Sequence, residues 1–415
     1  MADRIDVPLE LADFDVTGCE VLAGVLEVSV RSTRRPVCHH CGSVSVTGHG
    51  RHERLVRDRA CSYPCVLRWS QRRFRCSDCG QTFRETHPAV AGKRRATERF
   101  RRHLFERACH QPFTEVAISE KVSGYRVEEA FEAHAATELV ELDPDPPRVL
   151  SIDESAFKKR FRFHTVFSDP ERRAVIDMVE GRGRGAVFGG LLALSDQVRA
   201  GIETVVIDCH WPYRQALEEM LPGARIVADK FHVIRSIDAA AQRVRMRLGK
   251  RTYRQRIGHG GGVARQHNPA NNPTIYRARW LFMKRAAKLS EAEREWLWGV
   301  FGASVDELRG AWVLKELFAS IYDAPDRVEA ERMLNDWIDA ITRAGIPEFL
   351  NTWRTLQWWS EEILNYFDDP VTNALAEGIT NKIKVLKRRS YGFRDPFRYR
   401  QRVLLSCRRR SSQNG

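Results

Sequence analysis

The sequence predicts a multidomain α/β fold: a sheet-bearing core interrupted by an α-helical block and preceded by a small cysteine-rich domain and a helical pair. Three observations predict it. Seven of the ten cysteines crowd into residues 19–79. Short apolar runs at 148–155, 163–168, 173–179, 203–208 and 225–228 alternate with helix-patterned segments, as in a sheet with helices packed on it. Eight of the ten tryptophans fall within 277–366, a stretch of largely helical pattern.

Taken in order, residues 1–92 read as short strands and turns around the cysteines, with 20–31 β-prone and partly alternating. Residues 93–140 switch to helical spacing, with Thr97 and Thr114 as expected N-caps. Ser123-Gly124 marks a turn between helices expected at Phe113–Val122 and Tyr125–His134. The acidic, proline-rich stretch 141–147 is a linker, because successive prolines prevent regular structure. Residues 148–239 are the first part of the α/β core, with helices expected at 212–220 and 230–248. Residues 240–366 form a helical insertion, in which 257–273, rich in Gly and Asn, reads as a mobile loop. Residues 367–415 supply the last core helix and a basic tail.

Charge narrows the partners. Lys and Arg total 68 against 54 acidic residues, a net charge of +14. Such an excess favours a polyphosphate backbone, DNA or RNA, through counterion release. No apolar run approaches the roughly 18 residues of a membrane span, and the amino terminus lacks a signal-peptide pattern. The chain therefore reads as cytoplasmic, without a membrane partner. Within the helical block, the tryptophans are expected to form a bundle core, with base stacking by one or two of them as the alternative.

The cysteines form two knuckle-like pairs, Cys38-His-His-Cys41-Gly and Cys76-Ser-Asp-Cys79-Gly. Four thiolates suit a tetrahedral structural zinc, and the following glycine permits the tight turn each pair needs. Cys61 and Cys65, with His39, His40, His49 and His52, lie close enough in sequence to replace one of the four. The run Arg68-Trp-Ser-Gln-Arg-Arg-Phe-Arg75, with Arg84, Arg94 and Arg95, makes a basic block beside the second knuckle. Arg72, Arg73, Arg75, Arg94 and Arg95 are expected DNA contacts, and the second helix of the pair is expected to read the major groove.

Three acidic residues carry the chemistry. Asp153 and Asp208 each follow a run of apolar β residues, where an unpaired carboxylate is costly. Glu377 lies in a segment where Val371, Leu375, Ile379, Ile383 and Leu386 form an apolar stripe and Asn373, Glu377, Thr380, Asn381 and Lys384 a polar one. Carboxylates at adjacent strand ends, closed by one from a helix, suit magnesium and two-metal phosphoryl transfer. Glu154, Asp169, Asp177 and Asp229 compete as ligands, and pattern alone does not choose among them. Lys382, Lys384, Lys387, Arg388 and Arg389 follow Glu377 and are expected to contact phosphates.

With these motifs in view, the chain resembles the ISL-three family of bacterial insertion-sequence transposases. The resemblance runs from about Cys38 to Arg402. It rests on the two knuckles, Ile152-Asp-Glu154, Ile207-Asp208 followed by Tyr213, Val227-Ala-Asp-Lys-Phe-His-Val233, Glu377-Gly-x-x-Asn-Lys-Ile-Lys384 and Tyr391-Gly-Phe393. It implies an RNase-H-like core with a helical insertion before the last acidic residue. It also implies a DDE triad of Asp153, Asp208 and Glu377 holding two magnesium or manganese ions, with Asp229 and His232 near the site. The hairpin after Asp153 and Cys209 depart from the family pattern without removing a ligand. The implied activity is binding of terminal inverted repeats, strand cleavage and transfer into target DNA, by a homodimer or larger synapsed assembly at the nucleoid. An inactive zinc-finger regulator and an RNase-H-like nuclease or resolvase are the alternatives.

Overall fold

The computed structural model describes residues 10–60, 63–90, 95–141, 146–158, 162–249, 252–257, 262–267, 273–371, 374–390 and 395–407. The chain divides into two compact units. One comprises residues 1–143 and 385–406, the other residues 144–384 and 407–415.

The first unit begins with five strands, β1 (Phe14–Leu22), β2 (Val25–Ser32), β3 (Val46–Asp58), β4 (Cys65–Cys76) and β5 (Thr82–Arg84). Their order is β1-β2-β4-β3, with β5 paired to β4. Alternation on β4 buries Cys65, Leu67, Trp69 and Gln71, so one face of the sheet is the core. Three helices follow: α1 (Glu98–His110), α2 (Phe113–Glu120) and α3 (Gly124–Glu141). Thr97 caps α1 as expected, its hydroxyl accepting from the Phe100 amide at 3.2 Å. The same hydroxyl donates to the fully buried Asp58 at 2.6 Å, which ties β3 to the helix. The second expected cap differs. Pro112 is the N-cap of α2, which takes up Thr114, because proline presets the entry to a first turn. The turn also moves: Lys121 adopts φ 52° at the end of α2, and Gly124 already starts α3.

In the second unit the elements run β6 (Val149–Lys158), β7 (Arg162–Asp169), β8 (Ala174–Glu180), α4 (Arg184–Leu192), α5 (Asp196–Ala200), β9 (Thr204–Ile207), α6 (Trp211–Met220), β10 (Arg225–Ala228) and α7 (Lys230–Gly249). The expected strands and helices of this region all form. The sheet order is β10-β9-β6-β7-β8, with β6, β9 and β10 parallel and β7 and β8 antiparallel. Gly190 of α4 lets the helix close on the sheet: a Cβ there would lie 2.3 Å from the Phe167 ring. Within 257–273, where a loop was expected, β12 (Gly262–His267) pairs antiparallel with the preceding strand β11 (Thr252–Ile257). Backbone pairing outweighs the turn-rich composition of that segment.

The helical block comprises α8 (Pro273–Arg277), α9 (Arg279–Met283), α10 (Glu291–Gly302), α11 (Asp306–Ile321), α12 (Arg327–Ala344), α13 (Pro347–Leu356) and α14 (Ser360–Leu364). Its core is continuous with one face of the sheet, through Leu150, Ile152, Val205 and Ile207, then Ile237 and Val244 of α7, to Phe318, Trp337 and Phe349. Trp312, Trp337 and Trp359 are buried in the bundle, and Trp337 donates its indole N–H to the Leu314 carbonyl at 2.8 Å. Trp280 and Trp358 are instead largely exposed. The chain then returns to the amino end of the parallel strands. There Asp369 accepts from Thr204 at 2.8 Å and Arg148 at 2.9 Å.

The last helices are α15 (Ala374–Arg389) and α16 (Pro396–Cys407). The segment 367–415 thus divides between the units. In the first unit, α16 packs on α1–α3: Arg402 donates to the Gln111 carbonyl at 2.7 Å and Ser406 to that of Cys109 at 2.8 Å. Tyr399 and Val403 of α16 are fully buried. No helix among the described residues is long and apolar enough to cross a membrane.

Candidate active site and metal centres

The period-two alternation of strands assembles the acidic site. Leu150, Ile152, Val205, Ile207 and Ala228 face the core shared with the helical block. Val149, Val206 and Val227 lie on the opposite face, where Val371 packs against them. In the parallel register Ile152 pairs with Ile207, and Ile207 with Ala228. The next residue of each chain therefore falls on this second face: Asp208 and Asp229 just past the carboxyl ends of β9 and β10, and Asp153 in the middle of β6, where its parallel pairing with β9 ends.

Asp208, Asp229 and His232 each offer a ligand atom within 4.8 Å of the others. His232 Nδ1 lies 2.7 Å from Asp229 Oδ2 and 2.6 Å from Asp208 Oδ1. The two carboxylates, Asp208 first, push the imidazole up to about 10. Nδ1 carries a single hydrogen, and its hydrogen bond goes to Asp229. Asp208 Oδ1 is thereby left buried without a hydrogen-bond partner. A buried, unsatisfied carboxylate oxygen beside a second carboxylate is a donor set that fits a hard divalent cation.

Asp153 is the neighbouring member. Its Oδ1 accepts from the Glu154 amide at 2.6 Å and its Oδ2 from the Thr380 hydroxyl at 2.8 Å. Burial holds its carboxyl above the ordinary range against the Thr380 hydrogen bond, and the charge of Asp208 adds to the rise. Of the competing acids, Asp169 is bound by Arg172 in the β7–β8 turn, and Asp177 lies on β8 at the far side of the sheet. Glu377 lies in α15 three residues before Thr380; its side chain is outside the described ones. Thr380 is the contact that sequence reading missed. It stood on the expected polar stripe of α15, but nothing in the pattern marked it as the residue that reaches Asp153.

The cysteines converge as well. Cys38 and Cys79 sulfurs lie 3.6 Å apart, as do those of Cys41 and Cys76. A tetrahedral thiolate zinc with ~2.3 Å bonds has sulfurs about 3.8 Å apart, so the four fit that ion. Both knuckles fold alike. The Gly42 amide donates to the Cys38 carbonyl at 2.9 Å and the Gly80 amide to that of Cys76 at 3.1 Å. Gly42 (φ 74°) and Gly80 (φ 72°) take the left-handed conformation the turns require. The Cys79 and Asp78 backbone amides pull the Cys76 thiol down to about 7. Cys65 sits in the sheet core at the other end of β4, and His39 bonds the Arg84 carbonyl; Cys61 lies outside the described residues.

The expected DNA contacts separate by environment. Arg73, Arg75 and Arg95 are exposed, and Arg73 pairs across strands with Arg84. Arg72 is engaged by the buried Glu85 at 2.7 Å and by the Arg34 carbonyl at 2.8 Å. Arg94 lies outside the described residues. On α15, Lys382, Lys384, Arg388 and Arg389 are exposed and Lys387 half-buried. The expected groove-reading helix, α3, is acidic: it carries Glu128, Glu129 and Glu132, and Arg398 of α16 pairs with Glu128 at 3.2 Å and Glu132 at 2.6 Å.

Comparison with protein families matches residues 150–403 to a DDE family profile of the ISL-three group described as transposase. The chain is 27% identical over 362 residues to the transposase for insertion sequence element IS1001 of Bordetella parapertussis, covering 86% of each protein. It is 26% identical over 261 residues to the transposase for insertion sequence element IS1557 of Mycobacterium tuberculosis, covering 60% of this chain and 57% of that protein. The family profile spans more than half of the 415 residues and contains all three aspartates, and the chain belongs to the ISL-three family of DDE transposases.

Proposed function

We propose that the chain moves a bacterial insertion sequence by two-metal-dependent strand cleavage and strand transfer, with Asp153, Asp208 and Glu377 as the metal-holding triad. The observation that carries this reading is the placement of Asp153 and Asp208 on one sheet face, each directly after the last parallel pair of β6 and β9, with Thr380 of the helix that contains Glu377 bonded to Asp153. The i,i+3 spacing of Glu377 and Thr380 supports the third position, since Thr380 bonds Asp153. The strand order and mixed orientation support an RNase-H-like core.

The bound magnesium or manganese ions would supply Lewis-acid stabilisation of the attacking and leaving oxygens. The protein residues arrange that site: Thr380 and the Glu154 amide fix Asp153, while Asp229 holds His232. In the first reaction, water attacks phosphorus at the element's end, and the broken P–O bond leaves a free 3′-hydroxyl. In the second, that hydroxyl attacks a target phosphorus: a new P–O bond forms as the target's own P–O3′ bond breaks, and a target 3′-hydroxyl is the leaving group. Exposed Arg73, Arg75 and Arg95, with Lys382, Lys384, Arg388 and Arg389, would contact phosphates. Zinc on the four cysteines would hold the end of the first sheet. Pairing two element ends requires at least a dimer, and the substrate places the protein at the nucleoid.

The test is an assay of cleavage and joining on DNA carrying the element's terminal repeats. Asp208→Asn and Glu377→Gln should abolish both products while end binding persists. Undiminished cleavage by either variant sinks the triad. Cleavage without joined product in any target would favour a nuclease instead.

A further inference from the structure

A groove that the triad does not use runs along the helical block. It runs between α7 and α13, has a volume of about 440 Å³, and is lined by Ser236, Ala239 and Arg243 on one side and Asn351, Thr352 and Thr355 on the other. The two helices run antiparallel: Arg247 meets Glu348 at 2.7 Å and Arg243 meets Thr352 at 2.8 Å. The groove therefore has a defined direction. Its α7 wall starts at Ser236, whose hydroxyl donates to the His232 carbonyl at 2.9 Å, one turn from the acidic site.

Two aromatic rings stand at that same end. Trp358, one turn beyond Thr355, is 67% exposed, and Trp211, three residues after Asp208, is 49% exposed. Arg214 binds them into one cluster, donating to the Trp358 carbonyl at 2.8 Å and lying 5.2 Å from the Trp211 ring centre. Large exposed indoles beside a phosphoryl-transfer centre are costly to leave in water, and every base offers a face to stack on them. Exposed Arg243 and the Asn351 amide are the groove's donors for a phosphodiester chain, since the three hydroxyls donate to their own helices.

We infer that this groove holds an unpaired DNA strand leading away from the cleaved phosphate, its phosphates against Arg243 and Asn351 and its first base stacked on Trp358. The inference rests on the transposase reading of the acidic site. It assigns the helical block a strand-separating role: duplex ends are recognised elsewhere, and the few nucleotides released next to the scissile bond are captured here.

The experiment compares two probes by fluorescence anisotropy without added magnesium or manganese. One is a blunt duplex carrying the terminal repeat; the other is the same duplex with three unpaired nucleotides at the cleaved end. The full chain should bind the tailed duplex about tenfold more tightly, the effect of one stacked base. Trp358→Ala and Arg243→Ala should bring the ratio close to one, and Trp358→Phe, which keeps a ring, should retain most of it. Circular dichroism confirms the fold of each variant, and all three changes are at exposed positions. Equal affinity for the two probes, in a preparation that cleaves terminal-repeat DNA, overturns the groove and leaves the transposase reading intact. Retention of the full ratio by both alanine variants overturns it too. Loss of cleavage and of duplex binding in the wild type would instead overturn both readings.

Discussion

Thr380 donates its hydroxyl to Asp153 Oδ2 at 2.8 Å across 227 residues of sequence. The bond joins α15 to the middle of β6 and lowers the cost of keeping Asp153 ionised in a buried place. Thr380→Val should therefore raise the Asp153 carboxyl further and weaken metal binding. The expected result is a drop in cleavage of about tenfold at low magnesium, the usual scale for a residue that orients a ligand. High magnesium should recover most of it, and Thr380→Ser should behave as wild type. A uniform loss at all metal concentrations would mean Thr380 serves packing alone.

The knuckles make a second prediction. The four sulfurs sit at one end of a sheet whose local core is only Cys38, Phe74, Cys76 and Phe83, with Val46 against it. That is too little apolar surface to hold the turns without the metal. Cys76→Ser should reduce bound zinc from one equivalent towards none, measured by elemental analysis. It should also weaken terminal-repeat binding more than the cleavage of whatever DNA is bound.

The two metal-binding places differ in how far the residues alone revealed them. The cysteine pairs were legible because ligand, spacing and following glycine are all local, and the φ values of Gly42 and Gly80 supply the physical reason. The strands were legible from their apolar runs, and so was the continuation of the helical block, although β12 formed where glycine and asparagine suggested a loop. Asp153 and Asp208 stood out, but Asp229 remained a competitor with Glu154, Asp169 and Asp177 because strand order is a non-local property. Only the register of β10 against β9 brings it beside Asp208. The packing of α16 on α1–α3 was hidden for a similar reason: Arg398, Arg400 and Arg402 made a basic tail by composition, while Tyr399 and Val403 carry the burial.

Stability of the first unit should depend on pH through Glu120. Burial would raise its carboxyl, but hydrogen bonds from His103 and Arg107 override it and hold it below the ordinary range. A carboxyl depressed in the folded state contributes stability that is complete above its unfolded pKa, roughly 4.3, and is lost as pH falls through the folded value. Glu120→Gln should lower the Tm at pH 7 by a few degrees. The gap from wild type should narrow as pH falls through the folded-state value of Glu120, where the wild type loses the charge that the glutamine lacks. A pH-independent gap would assign the effect to shape.

Gly190 predicts a packing defect. A Cβ there would meet Phe167 Cζ at 2.3 Å, and Phe167 is fully buried with no room to withdraw. Gly190→Ala should cost about 1–3 kcal/mol, the range for overpacking a core, read as a lower midpoint in urea. Gly189→Ala, whose Cβ would meet nothing within 4 Å, is the matched control and should be close to neutral.

The arrangement of Asp208, Asp229 and His232 predicts separable roles for two aspartates that share one imidazole. Asp229 holds the hydrogen bond from Nδ1, while Asp208 keeps a buried oxygen without one. Asp208→Asn removes a proposed metal ligand, so cleavage should vanish at every magnesium or manganese concentration. Asp229→Asn leaves that ligand in place but loosens His232, which can then turn its Nδ1 hydrogen fully to Asp208 and compete with the cation. Cleavage should fall by about 10–100-fold, the usual scale for outer partners of a metal ligand. Its apparent metal requirement should rise, and His232→Ala on top of Asp229→Asn should lower that requirement again. If Asp229→Asn instead matches Asp208→Asn at saturating metal, Asp229 is itself a ligand and the triad has a fourth member.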